Sequence, residues 1–192
     1  MNKIQKGQKG YIKSKKTKYL VWALAEFGVV AGLLIIGYTQ TKTRLNLLTV
    51  VAIVGCLPAS KMLVEFITMA PHKGISEEKY AEIEEKGNLL TRVYDMVITS
   101  KEKVMPVTAF VISNHMVCGY VESEKTDETK CAKYIKEMLE TNKCDKITVK
   151  VFRDYHAFLA RVEGMNNIAS VEQPESRRKE KKIKNLILSV SM

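Results

Sequence analysis

The sequence lacks the short motifs that commonly identify an enzyme or a cofactor site. It contains no P-loop, no GxGxxG segment and no Ser-His-Asp spacing. It has only four cysteines and no CxxC pair, so the sequence indicates neither a disulfide framework nor a zinc site. Cys56 lies in an apolar segment, which leaves three cysteines, an odd number, in the polar part of the chain. This usage favours reduced thiols in a cytosolic domain.

Acidic residues are absent from positions 1–18, although the whole chain contains 21 of them. These positions hold seven lysines, whereas residues 71–192 hold 21 basic and 19 acidic side chains, so that part carries only +2 of the net +10. The excess charge therefore flanks the first apolar segment and does not cover a folded domain, so we expect no nucleic-acid partner. A cationic flank of this kind is typical of the cytoplasmic side of a membrane span, where it meets anionic lipid headgroups.

Two long segments are almost free of charge. Residues 19–38 carry only Glu26, and the first 16 residues of the segment 45–70 are uncharged. About 20 apolar residues cross the core of a bilayer as a helix. We therefore predict transmembrane helices at about 19–40 and 45–70. The polar residues between them are too few for anything but an antiparallel hairpin, and the first segment lacks the cleavage site of a signal peptide.

The distribution of lysines predicts the orientation of this hairpin. Seven lysines precede the first helix, whereas the connection contains only Lys42 and Arg44. By the positive-inside rule, the N-terminus and the C-terminal domain lie in the cytoplasm, and the connection lies outside. We thus predict a multi-pass protein of the cell (inner) membrane with a basic cytoplasmic tail (1–18), a transmembrane hairpin (19–70) and a cytoplasmic α+β domain (71–192). Its expected partners are the lipid bilayer and anionic headgroups.

Small residues within the two apolar segments suggest how the helices pack. Gly28 and Gly32 form one small-xxx-small step, and Gly55 and Ala59 form a second. Such steps let helix backbones approach each other closely within a membrane. They could act within the hairpin or between copies of the chain, so a homo-oligomer is a possible partner arrangement.

Glu26 and Lys61 require an explanation because a charge at the bilayer centre costs roughly 2.5–3.5 kcal/mol. Counted along the two helices, they lie at similar depths, so one hypothesis is an interhelical Glu26–Lys61 pair. In the alternative, the second span ends near Ser60, after Pro58, and Lys61 pairs with Glu65 in the membrane interface. A third interpretation is that Glu26 and Lys61 face an aqueous path formed by oligomerisation.

The remaining residues alternate between helical and strand patterns. The expected order is α-β-β-β-α-β-α-β, which gives a mixed sheet of about five strands with helices packed on it. We predict helices at 77–86, 127–142 and 155–163 and strands at 92–99, 107–113, 116–121, 146–152 and 186–190.

Asp95 and the sequence Glu122-Ser123-Glu124-Lys125 are the candidate catalytic residues. Together with the αβββαβ order of residues 76–152, they resemble restriction-endonuclease-like folds, in particular the nuclease-related domains of some membrane-tethered bacterial proteins. The resemblance implies that acids of this kind bind Mg²⁺ and that the lysine positions a water. The spacing departs from the motif, because Lys125 follows Glu122 by three residues and Glu124 by one, whereas two would share a strand face.

The segment TKTRLNLLTVVAIVGCLPASK and the overall organisation resemble small uncharacterised two-pass membrane proteins of Gram-positive bacteria. This resemblance implies no activity. The sequence therefore leads us to expect a membrane-anchored interaction or regulatory module with a cytosolic protein partner and no cofactor. The alternatives are a membrane-tethered metal-dependent hydrolase with a degenerate nuclease-like fold, and a small oligomeric transport-related subunit. The basic run 177–184, which Glu180 interrupts, could contact anionic lipid or RNA or be solvated.

Overall fold

The computed structural model describes residues 4–43, 46–100, 104–113, 115–124, 126–144, 146–171 and 177–192. The chain divides into two compact units. Residues 12–72 form one, which we call the hairpin unit, and residues 1–11 together with 73–192 form the other, the α+β unit. The first eleven residues therefore belong with the C-terminal part of the chain, where the lysine distribution suggested a separate basic tail of residues 1–18.

The hairpin unit contains two long helices, and the α+β unit contains four helices and four strands in the part of the chain that the structure describes. The long helices are α1 (Tyr11–Thr41) and α2 (Leu47–Met69). The elements of the α+β unit are α3 (Glu77–Lys86), β1 (Thr91–Thr99), β2 (Val104–Ile112), β3 (Met116–Tyr120), α4 (Glu128–Thr141), β4 (Thr148–Phe152), α5 (Tyr155–Val171) and α6 (Arg177–Ser189).

The helices α1 and α2 pack along a regular seam. Both are long and apolar enough to cross a membrane, by length and composition. Their buried and half-buried residues recur at alternating spacings of three and four, which is the heptad pattern of coiled-coil packing. The seam residues are Ile12, Lys16, Tyr19, Ala23, Glu26, Val30, Leu33 and Gly37 on α1, and Leu48, Ala52, Gly55, Ala59, Met62, Phe66 and Met69 on α2.

Helix α1 begins at Tyr11, eight residues before the predicted start at 19. Lys16 gives a physical reason for the extension. Its Nζ donates to the carbonyl oxygen of Ala70 at 2.6 Å and also to that of His72. Carbonyls at the C-terminal end of a helix lack intrahelical partners, and a cation is favourable there. The lysine-rich residues therefore continue the helix and satisfy the end of α2.

The sheet has the order β1-β2-β3-β4. The first three strands are antiparallel neighbours, and β4 pairs with β3 in parallel after the α4 crossover. The prediction of a fifth strand at 186–190 is wrong, because these residues lie in α6 and the turn after it. Ile183 and Ile187, one helical turn apart, are fully buried against the sheet. A short apolar run cannot be assigned to a strand or a helix by itself, and here the longer helical periodicity decides.

Helices cover both faces of the sheet. Residues of α4 and α6 pack with one face, and residues of α3 and α5 pack with the other. Helix α5 runs past Gly164, where the sequence predicted its end, because Met165 in the next turn is buried in the second of these cores. The outer edge of β1 is covered, since the N–H of Met192 donates to the carbonyl of Val97 at 2.9 Å and that of Tyr94 donates to Gly7 at 2.9 Å.

Candidate functional site

Asp95 lies in β1 in a backbone conformation that is unusual for a strand. Its φ is 54°, in the left-handed region that Asp tolerates better than most residues. The alternation of faces breaks around it. Val93 and Met96, three residues apart, belong to the same core cluster, and on β2 Val107 and Phe110 show the same break. The distortion directs the Asp95 carboxylate towards backbone amides of two other segments.

The carboxylate of Asp95 joins segments that are distant in sequence. Asp95 is 1% exposed, and its Oδ2 accepts the N–H of Gly10 at 2.6 Å, while its Oδ1 accepts the N–H of Ile75 at 2.8 Å. The N–H of Tyr11, the first residue of α1, also bonds to this carboxylate. Gly74 packs directly on it, because a Cβ at that position would lie 3.0 Å from Oδ2. We call these five residues the Asp95 junction.

The electrostatics of the Asp95 junction reflect burial. Desolvation raises the pKa of the Asp95 carboxyl above its usual value, and the backbone N–H groups and the charge of Lys9 oppose this shift. A buried anion needs hydrogen-bond donors in place of water. Because both oxygens accept backbone N–H groups, this carboxylate acts as a clamp between chain segments.

The N-terminal segment 4–11 reaches the Asp95 junction along the edge of β1. Gly7 accepts the N–H of Tyr94 and has a φ of 84°. A Cβ at Gly7 would lie 2.7 Å from Cγ1 of Val93 and 2.8 Å from Cδ2 of Leu188. Both the close approach and the positive φ require glycine at this position.

Lysines of the same segment contact the α+β unit. The Nζ of Lys6 donates to the carbonyl oxygen of Ser191. Lys9 forms an ion pair with Glu77 and lies 4.3 Å from the centre of the Tyr80 ring. These two cations of the basic N-terminus are therefore engaged by the folded unit and do not lie on a free tail.

The predicted catalytic residues have separate partners. Both oxygens of Asp95 are engaged as described, Glu122 pairs with Lys79 at 2.7 Å, and Glu124 is exposed. Lys125 lies outside the described residues. Since β2 separates β1 from β3, Asp95 lies on a strand about 10 Å from β3, whose last residue precedes Glu122 by two positions. In the described ranges, no three or more His, Cys, Asp or Glu side chains form a group that could hold a metal ion.

A cluster of polar and aromatic side chains that the sequence analysis did not predict lies at the C-terminal ends of β3 and β4. The Nζ of Lys79 donates to the Tyr120 hydroxyl at 2.9 Å and to Glu122, and the Tyr155 hydroxyl donates to Glu82 at 2.6 Å. The Tyr120 and Tyr155 rings meet edge-on, 5.3 Å apart. Burial and the bond to Glu82 raise the pKa of Tyr155. Because these groups satisfy one another, the cluster fastens α3 and α5 to the sheet.

The two predicted small-residue steps have different surroundings in the hairpin unit. A Cβ at Gly55 would lie 3.2 Å from Cγ2 of Val30, and Ala59 is fully buried, so this step lies in the seam. A Cβ at Gly28 or Gly32 would meet no atom within 4 Å. The Gly28–Gly32 step therefore takes no part in the packing of α1 on α2.

Glu26 and Lys61 lie at similar levels along the hairpin but on different sides of it. The close approach of Gly55 to α1 puts Glu26 level with Ala59 in the seam. Lys61 follows Ala59 by two residues, which is about 200° around the helix, and it is exposed. Oε2 of Glu26 is buried without a hydrogen-bond partner among the described residues. Within those residues, no ion pair joins Lys61 to Glu26 or to Glu65.

The thiols of the α+β unit are expected to differ in reactivity. Burial raises the pKa of Cys118 to about 11 and that of Cys131 to about 12, whereas Cys144 is half-buried. Because the thiolate is the reactive form, we expect a maleimide at pH 8 to modify Cys118 and Cys131 roughly 100-fold more slowly than an exposed cysteine. Mass spectrometry of native and denatured protein measures these rates. Equal native rates at Cys118, Cys131 and Cys144 would contradict the buried positions.

The Asp95 junction links three segments of the chain through one side chain, across 85 and 20 positions of sequence. Both oxygens of its carboxylate accept a hydrogen bond from a backbone N–H group.

Comparison of the chain with protein-family models finds no matching family, and comparisons with curated proteins and with solved structures find no match either.

Proposed function

We propose that this chain is a membrane-anchored cytoplasmic interaction or regulatory module. In this proposal the hairpin unit spans the bilayer, and the α+β unit presents its surface to a cytosolic protein partner. The observation that carries the proposal is the Asp95 junction. The chain passes between the two units after Tyr11 and before Lys73, and one carboxylate binds N–H groups beside both crossings. The residues at which the chain leaves the α+β unit and returns to it are therefore fixed to the same strand.

The surface of the hairpin unit supports a position in the bilayer. Large apolar side chains on both helices point outward, and Leu24, Ile35 and Leu57 are 64%, 64% and 71% exposed. In water, such a continuous apolar surface marks an interaction or aggregation site. In a bilayer the same side chains contact lipid, and the helical backbone satisfies its own polar groups.

Charge and cysteine chemistry support the proposed orientation. The polar first turns of α1 contain Lys13, Lys15, Lys16 and Lys18, and no acid balances them there. Such a flank favours the cytoplasmic side. All four cysteines are free thiols, which suits a reducing compartment.

The geometry gives less support to the two alternatives. A metal-dependent hydrolase needs carboxylates that leave a coordination position open for a cation and a water, and both oxygens of Asp95 accept backbone N–H groups. A transport-related subunit needs ionisable groups along a shared path, and Glu26 and Lys61 lie on different sides of the hairpin.

The test of this proposal is cysteine accessibility in intact and permeabilised spheroplasts. Single cysteines at Gln40 and at Lys133 report the connection and the α+β unit, in a background with Cys56 and Cys144 replaced by serine. We expect an impermeant maleimide to label Gln40→Cys in intact spheroplasts and Lys133→Cys only after permeabilisation. Labelling of Lys133→Cys in intact spheroplasts would overturn the orientation. Extraction of the chain by alkaline carbonate would overturn the membrane anchor.

A further inference from the structure

Helix α6 turns its one acid inward. Glu180 is the only acidic residue of positions 177–192, and it is 9% exposed, with its Oε2 accepting the hydroxyl of Thr91 at 2.8 Å. Glu180 lies on the same face as Ile183 and Ile187, which are buried against the sheet. The acid that interrupts the basic run in the sequence therefore does not interrupt it on the surface.

The outward face of α6 is basic over its first two turns. Arg178, Lys179, Lys181 and Lys182 are exposed, and Lys184 is half-buried. None of these five side chains forms an ion pair with an acid that the structure describes. We call the five residues the α6 basic face. Cations on successive turns of one helix, without ion-pair partners, make a strongly positive surface. The remaining charges of the α+β unit nearly balance.

The surface continues onto the end of α4. The Nζ of Lys182 donates to the carbonyl oxygen of Asn142 at 3.0 Å, at the C-terminal cap of α4. Lys143 and Lys146, just beyond that cap, are exposed. Among the described residues, exposed cations therefore extend beyond a single helix.

The C-terminal end of α6 contacts the segment that leads into α1. A Cβ at Gly7 would lie 2.8 Å from Cδ2 of Leu188, and α1 begins four residues later at Tyr11. The end of α6 thus packs on the segment of the α+β unit that leads into the hairpin unit.

We propose that the α6 basic face binds the anionic headgroups of the membrane that anchors the chain. This inference rests on the proposed function, because it requires the hairpin unit to be in the bilayer. Charge complementarity identifies the partner class, since exposed cations that form no ion pair with a described acid match a surface of phosphate headgroups. The tether supplies the high local concentration that weak electrostatic contacts need. RNA is the alternative anionic partner. The remaining charges of the α+β unit nearly balance, so its cations form one basic face, and the tether favours lipid over RNA for that face.

Lysine acylation of the full chain in nanodiscs tests the proposal. One preparation contains neutral phosphatidylcholine, and the other contains about one-third phosphatidylglycerol. We expect an N-hydroxysuccinimide ester to modify Lys179 and Lys181 about threefold more slowly in the anionic discs, and high salt to remove the difference. Lys133, which is 77% exposed on α4, is the internal reference and should react equally in both.

Two double variants distinguish binding by the α6 basic face from a non-specific effect of the positive charge of the protein. The double variant K179Q/K181Q should remove the lipid-dependent protection of Lys182, whereas K133Q/K136Q, on the exposed face of α4, should leave it unchanged. Equal acylation of Lys179 and Lys181 in both kinds of disc would overturn the lipid contact. Protection by RNA in neutral discs, without protection by phosphatidylglycerol, would overturn it in favour of nucleic acid. A chain that fails to enter discs at all would instead overturn the proposed function, before any labelling is measured.

Discussion

The replacement of Asp95 by alanine is expected to destabilise the α+β unit by roughly 2–4 kcal/mol. The substitution leaves the N–H groups of Gly10, Tyr11 and Ile75 without their acceptor. Each buried donor that loses its partner costs about 1–3 kcal/mol. The loss is partly offset because a desolvated charge is removed as well.

The effect should be greatest where the chain passes to the hairpin unit. Hydrogen exchange of the full-length chain in detergent, followed by mass spectrometry, measures protection at 7–11 and at 73–76. We expect exchange there to rise on the order of 100-fold in Asp95→Ala, since every 1.4 kcal/mol corresponds to about tenfold. Asp95→Asn should also lose protection, because its amide NH₂ would face a backbone N–H in place of one acceptor oxygen.

The matched control for Asp95 is Glu124→Ala. Glu124 is a carboxylate of the same candidate set, but it is exposed, so its loss should change stability by less than about 0.5 kcal/mol. If Asp95→Ala kept native protection at both segments, the clamp would be excluded. If it also abolished a Mg²⁺-dependent hydrolysis seen in the parent chain, the hydrolase alternative would take its place.

The elements with strong local patterns could be predicted closely from the sequence. The prediction of a strand at 92–99 differs from β1 by one residue, and the helix predicted at 127–142 differs from α4 by one residue at each end. In α4, Cys131, Ile135 and Leu139 recur at helical spacing and are buried. Asp127 caps this helix by accepting the N–H groups of the second and third residues after it. In these elements the local propensity and the pattern of burial agree, so the spacing of apolar residues is sufficient to predict the element and its bounds.

The Asp95 junction could not be predicted in this way. The bond from Gly10 to Asp95 joins residues 85 positions apart, and no periodic pattern connects them. The sequence did contain an indirect signal, because Gly7 and Gly10 interrupt a lysine-rich segment and both have positive φ. Charge is the strongest local feature of that segment, so the sequence predicts a basic cytoplasmic tail there. In the structure, the contacts of this segment with the edge of β1 determine its position, and its charge does not.

Helix α6 is a second element that local sequence patterns could not predict. Its last residues form a short apolar run that predicts a strand equally well. The buried face of Ile183 and Ile187 became decisive only once the sheet lay beneath it. Glu180 likewise counted as an interruption of the basic run until Thr91 was found to bond it on the inner side.

The replacement of Glu26 by methionine is expected to stabilise the hairpin unit by roughly 2–3 kcal/mol. Glu26 occupies the seam, level with Ala59, and its buried Oε2 has no hydrogen-bond partner among the described residues. Methionine has nearly the same volume and shape, so the seam can keep its packing while the unsatisfied carboxylate is removed. Glu26→Gln should give a smaller gain, because it removes the charge and keeps a polar amide.

The measurement is unfolding of the full-length chain in mixed micelles of increasing dodecyl sulfate content, followed by the circular dichroism of the helices. Lys61→Ala is the matched control. Lys61 is exposed and turned about 200° from Ala59 around the helix, so its loss should shift the midpoint little. An interhelical Glu26–Lys61 pair predicts the opposite pattern, in which both single variants destabilise and the charge-reversed double variant E26K/K61E recovers stability. Because the two outcomes for Glu26→Met differ in sign, this substitution decides whether Glu26 stabilises the hairpin or is a buried charge kept at a cost in stability.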